Sequence, residues 1–484
     1  MLVRHSAIYF SANVFSALFG FFNVFAFTRI LSLELYGSYA LGFSFAALLV
    51  TLFSTAVKYA LLQKQARRDG TDVRGNCLGF LLLSCGAAPL GYVGARLVNL
   101  PPDIASASVL LALAITYFET TLELFRVGQN PSGFARGIIV RAMSVTTFGI
   151  ASAFLSGRGA ILVASSALAF TVATLTIWRG AWGSERPQFN KRSLLQIAKS
   201  GLPIALSLFL SGLSGNADRF LIAHYSGVAA AGQYSASADL VRQLLVIPAI
   251  SIASAIGPLA VALHATGDVI ALRSHLARGL ELLMAVSLPA CLGFALVSNE
   301  LVNVILGLQF RQTAGEITCI LAISLIFPII TAQYMHTSFL LANKNSYYVV
   351  NSLAILLVNL TAGFLFISKF GIMGAVWARV ASDIAGFVVA YILTFRAFKM
   401  PFPIAAISRI GISVAWMAFV VRIVQWKTAF HHGPAVIAAT VSSGFFAYAL
   451  AVWVLNIAGI RASVLSFANQ TRHRGRARRS VISR

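Results

Sequence analysis

Long apolar stretches separated by short gaps fill this chain from Ser6 to Ile457. About 20 consecutive apolar residues span the hydrocarbon core of a bilayer. Stretches such as 8–27 and 435–455 reach that length, and 58% of all residues are hydrophobic. The pattern predicts a polytopic membrane protein.

The stretches lack the alternation of apolar and polar residues that marks transmembrane β-strands. A backbone in lipid must satisfy its own hydrogen bonds, so each stretch is expected to be a helix and the fold class all-α. We predict about 14 spans, at 7–28, 37–62, 76–97, 105–126, 138–156, 159–179, 200–224, 231–257, 277–298, 313–341, 347–368, 372–395, 404–424 and 434–457.

The gaps between the stretches alternate between many and few lysine and arginine residues. This alternation indicates the orientation in the membrane, because basic loops resist translocation. With the N-terminus in the cytoplasm, most of the 37 basic residues fall in inner segments. An even number of spans then returns the C-terminus to the same side. Both termini are predicted to be cytoplasmic.

The net charge of +23 and the tail sequence RHRGRARR raise the question of nucleic-acid binding. We favour another interpretation, in which most of these residues set topology and the tail adheres to anionic membrane lipids. No nucleic-acid partner is predicted.

Sequence motifs for common membrane enzymes are absent. The chain has no GxxxxGK[ST] phosphate loop, no HExxH, no GxSxG, and no DxD or ExD carboxylate pair. The predicted outer loops are also too short for a catalytic domain. A transporter without catalytic residues, cofactor or metal is therefore expected.

Two segments of the chain are similar in sequence to each other, a similarity called the sequence echo below. TRILSLELYGSYALGFSFAALL and DRFLIAHYSGVAAAGQYSASADLV each place an arginine at the end of one span and a glycine and tyrosine at the start of the next. The copies lie six spans apart, as in transporters built from two repeats. We predict six-helix bundles at 1–185 and 186–400, joined near 187–200, then a helix pair at 401–460 and a basic cytoplasmic tail at 461–484.

These strings also carry a family resemblance. RILSLELYGSYAL, the central segment LPIALSLFLSGLSGNADRFLIAHYSGVAAAGQYSASADLV, and FGIMGAVWARVASDIAG resemble the polysaccharide flippases of the multidrug/oligosaccharidyl-lipid/polysaccharide (MOP) exporter superfamily. The resemblance covers nearly the full chain. The tail is more basic than the family pattern requires.

The resemblance implies a flippase in the bacterial inner membrane. Its substrate is expected to be an undecaprenyl-pyrophosphate-linked oligosaccharide for O-antigen, exopolysaccharide or capsule. A polysaccharide polymerase and other assembly proteins are possible partners. No bond is cleaved, so the protein is not expected to be an enzyme.

Ionisable groups inside spans are costly and mark candidate sites. A sugar pyrophosphate is anionic, and arginine donors suit phosphate oxygens. We predict headgroup contacts from four cations: Arg29, Lys58, Arg219 and Arg242. The alternative is local neutralisation, since Asp239 and Arg242, and likewise Arg379 and Asp383, are spaced to share a helix face.

Glu119 and Glu123 lie four positions apart on one predicted span. Two like charges on one face raise the proton affinity of at least one carboxylate, which suits coupling to a proton or sodium gradient. Arg126 can instead neutralise Glu123, three residues before it.

Two other functions stay open. A multidrug or small-cation exporter of the same superfamily would favour acidic cavity residues, whereas internal basic groups here are nearly as numerous as internal acids. A polysaccharide polymerase or ligase would need a sizeable outer loop.

Overall fold

The computed structural model describes residues 2–67, 74–183, 191–428, 434–459 and 461, with side chains left undescribed at 2–7, 10, 56–67, 76, 191–204, 207, 434 and 458. The basic tail beyond residue 461 and residues 187–190 of the predicted joint lie outside this description, whereas 191–200 belong to a helix. The described residues contain helices and no strand, which confirms the all-α fold class.

Seventeen α-helices account for most of the described chain. They are α1 Leu2–Ile30, α2 Leu33–Arg67, α3 Arg74–Gly86, α4 Ala88–Leu97, α5 Pro102–Val127, α6 Pro131–Leu155, α7 Gly159–Trp182, α8 Lys191–Ser226, α9 Val228–Ala265, α10 Val269–Leu296, α11 Ser298–Ile305, α12 Arg311–Ser324, α13 Ile326–Ile330, α14 His336–Leu341, α15 Ser346–Arg396, α16 Ile404–Lys427 and α17 Pro434–Val454.

The helix lengths confirm a polytopic membrane protein. In the described residues, 11 helical stretches are long and apolar enough to cross a membrane, or 12 if α3 and α4, bent by 46° at their break, form one span. The predicted number of 14 membrane spans is not confirmed. This count treats α15 as one span. Its 51 residues are more than twice the length that one span needs, and Gly371, with φ 56°, interrupts the helix.

Local sequence signals set several helix ends. Asn130 caps α6 by accepting a hydrogen bond from the Gly133 amide at 3.0 Å, and Pro131 occupies the first turn. Asp268 caps α10 in the same way through the Ala271 amide, at 2.9 Å. Large apolar side chains such as Leu155 remain exposed, as expected for a surface that faces lipid.

Contacts between Cα atoms divide the chain into two compact units. Unit 1 comprises Met1–Gln243, Ile305–Ile317 and Tyr348–Gly386, and unit 2 comprises Leu244–Val304, Thr318–Tyr347 and Phe387–Arg484. In unit 1, α5 packs on α7 and α2, α6 packs on α1 and α7, and α2 packs on α8. In unit 2, α16 packs between α10 and α17.

Candidate functional site

A cluster of charged side chains lies within unit 1, where α8, α9 and α15 contribute residues. We call it the charge cluster: Asp218 and Arg219 of α8, Asp239 and Arg242 of α9, and Arg379 and Asp383 of α15. Its three arginines and three aspartates sum to zero formal charge. Buried charges are costly unless they are paired, so the pairing pattern decides what the cluster can bind.

Arg219 is held on both sides of its guanidinium group. Its Nη2 donates to Asp239 Oδ1 at 2.6 Å, and its Nη1 donates to Ser44 Oγ on α2 at 3.1 Å. Tyr36 donates its hydroxyl to the other oxygen of Asp239, at 3.4 Å. The Arg219 side chain is only 11% exposed. Arg219 thus fixes α8 to α9 and α2.

Arg379 forms the second part of the cluster. Its Nε donates to Asp383 Oδ1 at 3.0 Å, and its Nη1 lies 3.7 Å from Asp218 Oδ2. Tyr234 donates its hydroxyl to Asp218. Both carboxylates are 4% exposed. This is the helix-face pairing that the spacing of Arg379 and Asp383 predicts.

Arg242 differs from the other two arginines. It is exposed, and within the described part of the chain it forms no ion pair or hydrogen bond. It interacts electrostatically with Asp239, Arg219 and Arg379, so it lies beside the paired charges. Asp239, which the sequence spacing offered to Arg242, pairs with Arg219 instead. Arg242 is the arginine of the cluster that an incoming anion can reach without breaking a pair.

The remaining two predicted cations lie elsewhere. Arg29 ends α1, and its guanidinium carbon is 3.8 Å from the centroid of the Phe25 ring on the same helix. Lys58 belongs to α2, but its side chain is outside the described residues. Of the four predicted headgroup contacts, the structure brings Arg219 and Arg242 together.

The two predicted ion-coupling residues have different surroundings. Glu123 is 6% exposed and pairs with Arg126 at 3.0 Å, which is the local neutralisation that the sequence left open. Glu119 accepts a hydrogen bond from Ser54 of α2 at 3.1 Å. It also interacts electrostatically with Arg141 of α6.

Sequence reasoning missed Arg141 as an internal cation. Its guanidinium lies 5.9 Å from the Phe118 ring centroid and donates to Ser16 on α1, while its buried Nε has no hydrogen-bond partner in the described part of the chain. The predicted span 138–156 begins three residues before Arg141, and the predicted orientation counts Arg141 among the basic residues of an inner segment. The Asn130 cap and Pro131 signal an earlier start, which puts Arg141 about 15 Å along the helix.

Comparisons with known proteins agree with this architecture. A family model described as "Polysaccharide biosynthesis protein" matches residues 26–315, more than half of the chain. No curated protein sequence matches the chain. A solved structure of the lipid II flippase MurJ in an inward closed conformation superposes with a TM-score of 0.77 at 14% identity, covering 93% of this chain and 99% of that one.

A second solved structure shares the fold. A multidrug resistance MATE family transporter of the MOP superfamily, in an inward-facing conformation, gives a TM-score of 0.64 at 13% identity, covering 81% of this chain and 96% of that one. Identities this low concern the fold alone. They show that the chain shares its fold with these two solved membrane proteins. Because the family model matches more than half of the chain, the chain belongs to the family described as polysaccharide biosynthesis proteins.

Proposed function

We propose that this protein flips lipid-linked oligosaccharide units, carried on undecaprenyl pyrophosphate, across the bacterial inner membrane for polysaccharide biosynthesis. Exposed Arg242, beside the paired charge cluster of unit 1, is the observation that carries the proposal. An unpaired arginine next to fixed charges is ready to receive phosphate oxygens.

The paired arginines suggest how a headgroup would be held and released. Arg219 is already neutralised by Asp239, so a pyrophosphate must compete with that carboxylate for the guanidinium donors. Exchange keeps Arg219 paired but leaves Asp239 without its cation, and breaking a buried pair costs about 3–5 kcal/mol, so the pyrophosphate contacts must offset that cost. Arg242 would make the first contact, and Arg219 would join when Asp239 is displaced. Contacts from Arg29 and Lys58 remain part of the proposal.

Alternating access of two six-helix bundles is the proposed transport step. Transporters built from repeats rock around a central substrate site. The sequence echo has a structural counterpart, because Gly37 and Gly232 occupy corresponding places in the two copies and contact each other. The polyprenyl tail would remain in lipid throughout. Glu119 and Glu123 are the proposed ion-coupling groups.

The proposed orientation, with both termini cytoplasmic, has support in unit 2. Three segments that the basic residues assign to the inner side meet there: Lys344 donates to the Arg396 carbonyl at 2.6 Å, and the His264 ring lies 6.1 Å from the Phe398 ring. One end of unit 2 therefore gathers three segments predicted to be cytoplasmic.

A deletion strain tests the substrate class. Loss of a flippase should leave single lipid-linked units on the cytoplasmic leaflet, measured by their access to a membrane-impermeant glycosidase or lectin in right-side-out and inverted vesicles. Units on the outer leaflet would instead identify a polymerase or ligase. Unchanged glycan with increased sensitivity to cationic drugs would identify an exporter, the alternative that the MATE fold similarity keeps open.

A variant pair tests the site. Arg242→Ala should abolish complementation of the deletion at unchanged membrane abundance, while Arg242→Lys should restore part of it because the charge remains. Arg422→Ala removes an exposed arginine from α16 in unit 2 and serves as the matched control. Full complementation by Arg242→Ala would remove Arg242 from the proposed site.

A further inference from the structure

A basic site lies in unit 2, among residues that the charge cluster does not include. A cavity of about 210 Å³ opens among the start of α10, the end of α15 and the link to α16. Its lining includes Arg273, Lys399, Thr394 and Tyr391. We call it the headgroup pocket. No acidic residue lines it.

Its two cations are available to a ligand. Arg273 and Lys399 are exposed, and within the described part of the chain neither has a carboxylate partner. The Lys399 ammonium lies 5.8 Å from the Phe395 ring centroid, a contact that leaves its three donors usable. The pocket therefore offers two unpaired positive charges to an anion.

The wall of the pocket is fixed before any ligand arrives. Ser338 donates its hydroxyl to the Phe398 carbonyl at 2.7 Å and accepts from the Phe398 amide at 3.0 Å. The Tyr334 hydroxyl donates to the Pro401 carbonyl. These bonds tie the 397–403 link to α14 and the turn before it. A site that is already ordered loses less entropy when it binds.

The carbonyl end of the α15 dipole offsets part of this positive charge. The end of α15 directs free carbonyls toward the link, and such carbonyls repel anions. Two of them are occupied, since the Leu393 carbonyl accepts from the Ala397 amide at 3.0 Å and the Arg396 carbonyl accepts from Lys344. Lys344 adds a third cation near the pocket.

The size and place of the pocket select the ligand. A volume of about 210 Å³ falls below the roughly 300–1,000 Å³ of pockets that enclose drug-sized ligands, so it suits a small headgroup and not an oligosaccharide. The pocket lies where α10 begins and α15 ends, which in the proposed orientation is the cytoplasmic end of both helices. Basic pockets between membrane helices on the cytoplasmic side bind anionic lipid headgroups.

We infer that the headgroup pocket binds the phosphate ester of an anionic phospholipid through Arg273 and Lys399. The aromatic rings of Tyr391 and Phe402 line the same cavity and would contact the glycerol and upper acyl chain. This site is independent of the proposed transport substrate, because its residues belong to unit 2 and the charge cluster belongs to unit 1.

Native mass spectrometry of the detergent-purified full chain tests the inference. Phosphatidylglycerol, zwitterionic phosphatidylcholine and inorganic phosphate are titrated separately. Phosphatidylglycerol should bind the wild type, and Arg273→Ala with Lys399→Ala should weaken that binding at least about tenfold, since each basic residue contributes about 1 kcal/mol near anionic lipid. Arg273→Lys with Lys399→Arg should retain it.

The matched control is Arg278→Ala with Arg409→Ala, which removes two exposed arginines that do not line the pocket. Equal loss in the control, or no loss in the pocket variant, overturns the inference. Phosphatidylcholine binding as tight as phosphatidylglycerol binding also overturns it. If inorganic phosphate binds with the same dependence on Arg273 and Lys399 and phosphatidylglycerol does not, the ligand is a free phosphate and the lipid assignment fails.

Discussion

Gly37 and Gly232 face each other where α2 and α9 begin, and each lies against the backbone of the other helix. A Cβ atom on Gly37 would be 2.1 Å from the Val228 carbonyl oxygen, and one on Gly232 would be 2.1 Å from the Leu33 carbonyl oxygen. Val228 lies four residues before Gly232, and Leu33 lies four residues before Gly37. Each glycine therefore meets the carbonyl one helical turn before the other glycine, and the contact is reciprocal. In the proposed orientation the contact lies toward the outer side of the membrane.

Enlarging either glycine should therefore block transport. Gly37→Val and Gly232→Val place methyl groups into backbone atoms that cannot move aside, and overpacking of this kind costs about 1–3 kcal/mol. The closed contact would be lost, and alternating access with it. We expect both variants to reach the membrane but fail to complement a deletion strain.

Gly411 of α16 provides the control, because a Cβ there meets no heavy atom within 4 Å. Gly411→Val should complement normally. Normal complementation by Gly37→Val as well would show that the contact is not required.

A different experiment concerns the Arg219–Asp239 pair. Arg219→Ala leaves the Asp239 carboxylate without its cation, and removing one partner of a buried pair costs about 3–5 kcal/mol. Because Asp239 is 29% exposed, the low end of that range is expected. The melting temperature in detergent should fall.

The double variant separates stability from transport. Arg219→Ala with Asp239→Ala removes both charges and should recover most of the lost melting temperature while remaining inactive. A double variant as unstable as Arg219→Ala would mean that the two side chains are not energetically coupled.

The sequence predicted the parts of this site that depend on spacing within one helix. Arg379 and Asp383, four residues apart, form the expected pair. Arg219 pairs with Asp239, which lies on another helix. The local sequence pattern does not show whether Asp239 pairs with Arg219 or with Arg242. Ser44, Tyr36 and Tyr234 carry no signal either, because hydroxyl groups are common in membrane helices.

The helix boundaries had a similar limit. Apolar composition predicts membrane helices but not where each begins: the predicted span starts three residues before Arg141, whereas α6 starts ten residues before it. The repeated glycine and tyrosine were visible as an echo. That the two glycines touch depends on the packing of α2 against α9, which no single segment encodes.

Glu119 and Glu123 should respond differently to neutralisation. Glu123→Gln breaks a pair whose arginine is 54% exposed, so the change in stability should stay within about 1 kcal/mol. Glu119→Gln removes a carboxylate that interacts electrostatically with Arg141, whose buried Nε has no hydrogen-bond partner among the described residues, and should lower the melting temperature further.

Transport by the same variants tests ion coupling. If Glu119 takes up the coupling ion, Glu119→Gln should transport at a rate that no longer depends on the proton or sodium gradient, measured in proteoliposomes. A gradient dependence equal to that of the wild type in both variants would exclude these glutamates as the coupling groups.

The break in α15 rests on the conformation of Gly371, whose φ of 56° and ψ of −133° lie in a region that side chains disfavour. Space is not the constraint, because the nearest atom to a Cβ there would be Ser226 Oγ at 3.8 Å. Gly371→Ala should therefore cost about 1–3 kcal/mol through backbone strain alone and lower the melting temperature in detergent. Gly411→Ala lies inside a regular helix and should leave that temperature unchanged or raise it, since alanine favours helices over glycine by about 0.5–1 kcal/mol. Equal melting temperatures for the two variants would show that α15 can continue through residue 371 without a break, and the two-segment description of this helix would be wrong.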